Sequence, residues 1–308
     1  MNNQPSDRSI SAGLVFAVLL WGANNAATKY LLVFWPPIMV GCTRFVFAGL
    51  ILLALFRWTT FFGKLVPITP ELNRFLWLHG GLNLALYIIA FNWALSLIPV
   101  AHVALYLGAS PVWALLWEGK QEINWKTFQR YFSAALALMG VVILFWPALH
   151  GGVGSLLGEF LALIASVLWT NYGRQCRSLG AKLSGPEISA CTFWRAGVWA
   201  APFALFEIST STPALRIDLV LIQLFCVLGS GVIAFALWNN ALRHWKTSKV
   251  YLFNNLVPIS SMTWAHLFLG EKITPTFWIA MSCIISGVIL GQTNWQKLLG
   301  RRWKPPAP

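Results

Sequence analysis

Acidic residues are scarce in this chain. Only 9 Asp and Glu stand against 22 Lys and Arg in 308 residues, and charged residues of both signs make up 10% of the whole, where a soluble globular domain carries about 25%. Metal chemistry that depends on clustered carboxylates has little to build on. The five cysteines, Cys42, Cys176, Cys191, Cys226 and Cys283, form no Cys-x-x-Cys pair, and four of them lie inside apolar runs. They read as small buried residues, not as a disulfide or metal framework. Gly-x-Ser-x-Gly, His-Glu-x-x-His and a paired intramembrane Asp are all missing, so the usual sequence signs of an intramembrane hydrolase or metalloprotease are absent. No segment between the apolar runs is long enough for a separate soluble domain, which leaves a sensor nothing to relay a signal with. No catalytic residue, metal or cofactor is expected.

What is present is overwhelmingly apolar. Hydrophobic residues reach 57%, with 18 Trp, against about 45–50% in globular proteins. Ten apolar runs bounded by charge or turn residues can be read off, at 11–30, 37–56, 75–95, 100–117, 130–147, 156–173, 188–206, 219–240, 249–268 and 275–293. Each is near the length of about 20 residues that crosses a bilayer as a helix. The first has no good cleavage site after its short, weakly basic leader and reads as a retained helix. The fold class is therefore an all-α integral membrane protein embedded in the lipid bilayer, with a bacterial inner membrane as its expected location.

The net charge of +13 does not point to nucleic acid, because the basic residues lie in twos and threes between apolar runs rather than on one face. Counted over alternating loops, 17 fall on one side and three, Lys29, Arg216 and Lys272, on the other, while Arg44 and Arg195 lie inside spans. Cytoplasmic loops carry the positive excess, so both termini, with a basic tail over 293–308, are expected in the cytoplasm. Dropping or merging one span would scramble this alternation.

The chain also repeats itself. Asn92-Trp93-Ala94-Leu95 matches Asn239-Asn240-Ala241-Leu242, Pro111 matches Pro258, and Gly140-Val141 matches Gly287-Val288, all at an offset of 147. Leu20-Trp21 matches Leu168-Trp169 at 148 and Arg44 matches Arg195 at 151. Each unit holds five spans, an odd number, so the second must enter the membrane from the opposite side. Inverted repeats of this kind place a substrate site near the midplane, where the halves meet.

These residues carry a family resemblance. Leu20-Trp21-Gly22 with Asn24 and Lys29, then Arg44-Phe45, a proline within the fourth and ninth spans, and Leu269-Gly270-Glu271 closing the ninth resemble the EamA-like family of the drug/metabolite transporter superfamily. The resemblance covers two units, 12–146 and 155–292. It implies ten helices around a cavity lined mainly by helices 1, 3, 4, 6, 8 and 9, and transport of small metabolites, often amino-acid export. The first unit departs from the pattern: where the second has Gly270-Glu271, it offers Glu118-Gly119 or Gln121-Glu122.

Polar groups in hydrocarbon usually face a bundle interior or a watery cavity. Trp21, Asn24 and Asn25 share one face of the first span at i, i+3 and i+4, with Trp21 near mid-depth. The sixth span answers with Trp169 and Tyr172, the third with Asn83 and Tyr87, the fourth with Tyr106 and Ser110, the eighth with Trp238, and the ninth with Tyr251, Asn254 and Asn255. Pro111 and Pro258 free carbonyls near Leu107 and Asn254, and paired interruptions in two repeats point to a binding site. Against these stand blander readings: tryptophans packed against lipid, asparagines as interhelical glue, and prolines as passive kinks. For Arg44 and Arg195 the choice is between an anion partner and a structural lock on carbonyls, with Glu159 as a conceivable carboxylate; their spans are peripheral in the resembling fold, which favours the lock. His79, His102 and His266 read as interfacial, and the coupling ion is open. Gly287 and Gly291 fit either a dimer contact or close packing within the bundle, so a monomer or a weak homodimer is expected.

The expected function is a secondary transporter moving a small amphipathic or aromatic metabolite, such as an amino acid, by alternating access. An anionic phosphorylated metabolite or nucleotide sugar is the alternative substrate, and it requires Arg44 and Arg195, or Lys249, to face the cavity. An intramembrane enzyme is the alternative of another class.

Overall fold

A computed structural model describes residues 6–59, 62–117, 125–146, 153–245, 247–254 and 256–292, and among these there is no strand. The first helix, α1 (Asp7–Leu31), starts where Ser6 accepts a hydrogen bond from the Ser9 N–H at 3.2 Å, the usual device for satisfying a free helix N-terminus. It is followed by α2 (Pro37–Trp58), with proline at its first turn. The chain then runs continuously through α3 (Pro70–Phe75), a π-helical stretch Leu76–Gly81 and α4 (Leu82–Leu97). Two short helices follow, α5 (Val100–Gly108) and α6 (Ser110–Trp117), then α7 (Trp125–Phe145) and α8 (Val153–Leu179).

The second half opens with α9 (Gly185–Thr210), whose start is fixed by a reciprocal cap between Ser184 and Glu187. Next come α10 (Ile217–Phe225), a second π-helical stretch Cys226–Ala234 and α11 (Phe235–His244). Two further short helices, α12 (Thr247–Asn254) and α13 (Val257–Leu269), precede α14 (Pro275–Gln292). The chain leaves α13 through Gly270 at φ +67°, a left-handed conformation that glycine adopts without steric cost.

Each of the ten apolar runs coincides with a helix or with helices in series. Five of these segments, Asp7–Leu31, Pro37–Trp58, Pro70–Leu97, Ser155–Leu179 and Ile217–His244, are long and apolar enough to cross a membrane. Two features differ from a reading of plain spans. The fourth and ninth runs are each broken into two helices, at Ala109 and at Leu256, positions that are themselves 147 apart. The third and eighth runs each contain a π-helical stretch, for which no residue type in the sequence gives a sign.

Packing sets the frame for the centre. At the periphery α2 lies along α9 and α7 along α14; inside, α1 packs on α13 and on the stretch Cys226–Ala234, and α4 packs on α8. The outer surface carries large apolar side chains such as Phe47, Leu205, Phe206, Leu267 and Phe268, all exposed, as expected where lipid rather than water is the solvent. Cys42, Cys176, Cys191 and Cys226 are free and buried.

The α7–α14 contact depends on two repeat-related glycines. A Cβ on Gly140 would lie 2.7 Å from the Ala280 carbonyl oxygen, and one on Gly287 would lie 2.6 Å from that of Ser133. Close packing inside the bundle thus accounts for Gly287. Gly140→Val and Gly287→Val are each expected to force the pair apart and destabilise the protein by about 1–3 kcal/mol. Thermal unfolding in detergent measures this; melting temperatures equal to the parent's would contradict the packing.

Candidate functional site

The candidate site forms where the two broken helices cross. Removing the helical bond across each break leaves carbonyls without their normal donor, and in hydrocarbon no water replaces it. The Leu107 carbonyl, at the end of α5, accepts instead from the Asn254 side-chain amide at the end of α12 and from Ser110 Oγ at 2.6 Å. Leu107 and Asn254 are 147 apart in the sequence, so the carbonyl freed in one repeat is bound by the corresponding residue of the other. Pro258 packs beside the same point, its Cγ 3.0 Å from where a Cβ on Gly108 would lie. Pro111 is the second residue of α6, with its side chain outside the described residues, and Asn255 lies outside them altogether.

An aromatic cluster stands against this crossing. Trp21 of α1 meets Trp169 of α8 edge to face, with ring centres 5.3 Å apart and planes at 88°. Phe235 and Trp238 of α11 press on Trp21 at 5.2 and 4.9 Å, and Tyr87 of α4 lies 5.5 Å from Trp169. Such ring pairs contribute about 0.5–1.5 kcal/mol each beyond the area they bury. The cluster has its own hydrogen-bond supports: Tyr251 Oη donates to the Trp169 carbonyl at 2.8 Å, and Tyr172 Oη pairs with Thr192 Oγ1 at 2.9 Å.

Within the cluster lies a small cavity. Of the residues singled out from the sequence, Trp21, Asn24, Asn25, Tyr87, Trp169 and Asn254 line it. Only ≈ 20 Å³ of it admits the centre of a water molecule, room for about one water. Trp238, Tyr172 and Tyr251 are fully buried and pack on Trp169 as a supporting layer rather than the wall; Tyr106 is fully buried and is not among the lining residues. Asn83 joins α4 to α8, donating to the Leu168 carbonyl at 2.9 Å and accepting from Asn171 at 2.8 Å. A larger groove at Phe16, Leu19 and Trp264 is almost wholly apolar and opens on the outer surface, as a lipid-facing crevice would.

The wall also holds Phe235, Ser230 and Val257, which the sequence reading does not single out, and Arg44, for which it favours the structural lock. Phe235 and Ser230 sit in a run with no polar periodicity, and Ser230 is on the π-helical stretch, where helical spacing fails. Arg44, on peripheral α2, reaches inward and donates to Asn24 Oδ1 at 3.0 Å. Its repeat partner Arg195 does what a structural lock does, donating to the Cys191 carbonyl at 2.7 Å and to Asn73 Oδ1 at 2.8 Å. Glu159 is not the partner of Arg195. It pairs with His102 Nδ1 at 2.6 Å and is buried, so this pair joins α5 to α8.

The two ends of the bundle are tied in related ways. At one end Lys29 Nζ donates to the Leu95 and Ile98 carbonyls at 2.6 and 3.0 Å, the Glu271 carboxylate accepts from the Val100 N–H at 3.1 Å, and His102 holds Glu159. At the other end Arg177 donates to the Trp245 carbonyl, Trp245 Nε1 donates to Asp7 Oδ1 at 3.0 Å, and Lys249 Nζ lies 3.9 Å from Asp7. Lys29 and Arg177 are 148 apart, and Ile98 and Trp245, like His102 and Lys249, are 147 apart.

Comparison with known proteins agrees with this architecture. The EamA-like transporter family matches the chain twice, over residues 9–146 and 156–291. The chain is 23% identical over 300 residues to a "Probable amino-acid metabolite efflux pump" of Escherichia coli (strain K12), covering 94% of this chain and 95% of that protein. It is 23% identical over 235 residues to a "Probable terminal-alkyne amino-acid exporter" of Streptantibioticus cattleyicolor, covering 75% and 76%. It is 24% identical to an "Uncharacterized inner membrane transporter YedA" of Escherichia coli (strain K12), covering 90% and 89%. A solved crystal structure shares the fold with a TM-score of 0.65 at 21% identity, covering 97% of this chain and all of the other.

The shared carbonyl at the crossing is open to direct test. Asn254→Ala and Ser110→Ala each leave the Leu107 oxygen one donor, and each should cost about 0.5–1.5 kcal/mol. The double variant orphans the oxygen and should cost more than the two single losses combined. Unfolding measured for the four proteins gives the coupling, and strictly additive losses would contradict the shared acceptor.

Proposed function

Because the chain belongs to the EamA-like transporter family, we propose that it is a secondary transporter that exports a small amphipathic or aromatic metabolite of the amino-acid kind by alternating access. Two inverted five-helix repeats are the moving parts, with both termini in the cytoplasm. The observation that carries the reading is the meeting of Trp21 and Trp169, one from each repeat, beside the crossing of the broken helices. A flat aromatic wall with a few polar atoms suits a substrate with an apolar body and a polar head.

Packing supports the repeat. Exchanging the halves carries the α2–α9 and α7–α14 contacts onto themselves. It carries the α1–α13 contact onto that of α8 with α5 and α6, and the α4–α8 contact onto that of α11 with α1, and all of these helices pack. The excess of basic residues places the Arg177, Trp245 and Asp7 end in the cytoplasm and the Lys29, His102 and Glu159 end outside. With room for about one water at the centre, the conformation described has no space there for a metabolite. Release to either side requires one set of ties to part while the other holds. The names of the relatives support export and an inner-membrane location. A phosphorylated substrate has less support, since it calls for two inward arginines and Arg195 is engaged with Cys191 and Asn73.

Counterflow into proteoliposomes against a panel of amino acids and related metabolites tests the reading. At least one aromatic or apolar amino acid is expected to exchange, and Trp21→Ala with Trp169→Ala should slow it by about tenfold or more, the equivalent of about 1.4 kcal/mol of lost binding. Absence of flux for every compound overturns the transport reading. Flux unchanged in the double variant overturns the site.

A further inference from the structure

Arg44 is 3% exposed; its guanidinium lies 4.5 Å from the Phe45 ring centre, and among the described residues no carboxylate pairs with it. Its one hydrogen bond goes to the uncharged amide oxygen of Asn24, and its Nε has no partner. The buried carboxylates among the described residues are engaged elsewhere: Glu159 with His102, Glu187 with the Val66 and Ser184 N–H groups, and Glu207 with the Ile38 and Met39 N–H groups. A buried guanidinium left without a carboxylate is costly. Arg44 also differs from its repeat partner: Arg195, whose Nε is likewise without a partner, donates to two acceptors and is not among the residues lining the cavity.

The cavity that Arg44 lines contains two more donors without partners, Trp21 Nε1 and Ser230 Oγ. Three donors without protein partners, one of them on a charged side chain, thus belong to residues that line one small space. No Asp or Glu is among the lining residues, so a cationic head group would find only ring faces and amide or carbonyl oxygens.

We propose that Arg44 is the carboxylate receptor of the substrate site, with Trp21 Nε1 and Ser230 Oγ completing the anion pocket, and that a substrate amine is not required for binding. The substrate class is a small carboxylate with an apolar or aromatic body that fits against Trp169 and Phe235. This rests on the transport site proposed above and narrows it: the carboxylate is read by charge and the body by ring contact, while the amine goes unread. Arg44 is flexible enough at its stem to follow the anion as the cavity opens, and a guanidinium offers the paired donors that match a carboxylate.

The test is ligand binding by purified full-length protein, read as thermal stabilisation in detergent, with phenylalanine, phenylalanine amide and hydrocinnamate as probes. Charge-assisted hydrogen bonds of this kind should make the two carboxylates bind about tenfold to a hundredfold more tightly than the amide. Hydrocinnamate should bind within a few-fold of phenylalanine. Arg44→Gln should abolish the preference for acid over amide, while Arg44→Lys keeps most of it, a pattern a merely structural arginine would not give. Equal binding of acid and amide by the parent protein overturns the assignment even if Arg44→Gln does not fold, and so does an undiminished preference in Arg44→Gln. Carboxylate preference without any counterflow would leave the anion pocket standing and overturn the transport reading instead. Binding of none of the three probes overturns the pocket together with the substrate class it rests on.

Discussion

A backbone carbonyl inside hydrocarbon has no solvent to turn to, and that constraint organises the centre of this protein. Two helices are broken near mid-bundle, and the oxygen freed at Leu107 is held by the amide of Asn254 from the other half. Within its own half that oxygen has only the Ser110 hydroxyl; its second donor comes from the other half. The halves are therefore joined at the place where each is weakest as a helix, and the close approach at Gly108 and Pro258 leaves no room for lipid between them. The broken helices also bring short helix ends and side-chain polar groups to the middle of an otherwise apolar bundle, which is where a carrier needs them. The Trp21–Trp169 pair then covers the crossing with a surface that can meet an apolar substrate without asking for hydrogen bonds.

The ties at the two ends follow from the same duplication but are made from different chemistry. At the Lys29 end the pair between the halves is an imidazole and a buried carboxylate, His102 and Glu159. At the Arg177 end the counterpart of His102 is Lys249, half-exposed and near an exposed aspartate, Asp7, that is not the counterpart of Glu159, with Trp245 between them. A buried pair is harder to part than an exposed one. The repeats are thus alike in fold and unlike in how firmly each end is held.

Much of this was legible in the sequence, for identifiable reasons. Apolar runs and turn residues give the helices because a bilayer imposes length and composition together. The offset of 147 correctly paired Leu107 with Asn254 and Gly140 with Gly287, since repeats keep the residues that make their contacts. Trp21 and Trp169 stand out by their depth and by their repeat offset of 148, and they do meet. Other features left no mark. A π-helical stretch such as Cys226–Ala234 has no residue signature, so Ser230 could not be placed on the cavity wall by helical spacing. Arg44 was hidden by its address on α2, because a span's place in the bundle does not say how far a long side chain reaches. The bond between His102 and Glu159 joins two spans far apart in the chain, and neither residue alone points to the other.

What most directly tests the central claim, that the two halves close around the Trp21–Trp169 site and must part at one end to release a substrate, is a tether across the His102–Glu159 tie. Cysteines in place of His102 and Glu159, in a protein whose five native cysteines are replaced, can be joined by a short cleavable thiol crosslinker and assayed by counterflow in proteoliposomes. The tethered protein is expected to stop exchanging substrate and to recover when the link is reduced; exchange by the tethered protein at the untethered rate would contradict alternating access through that end.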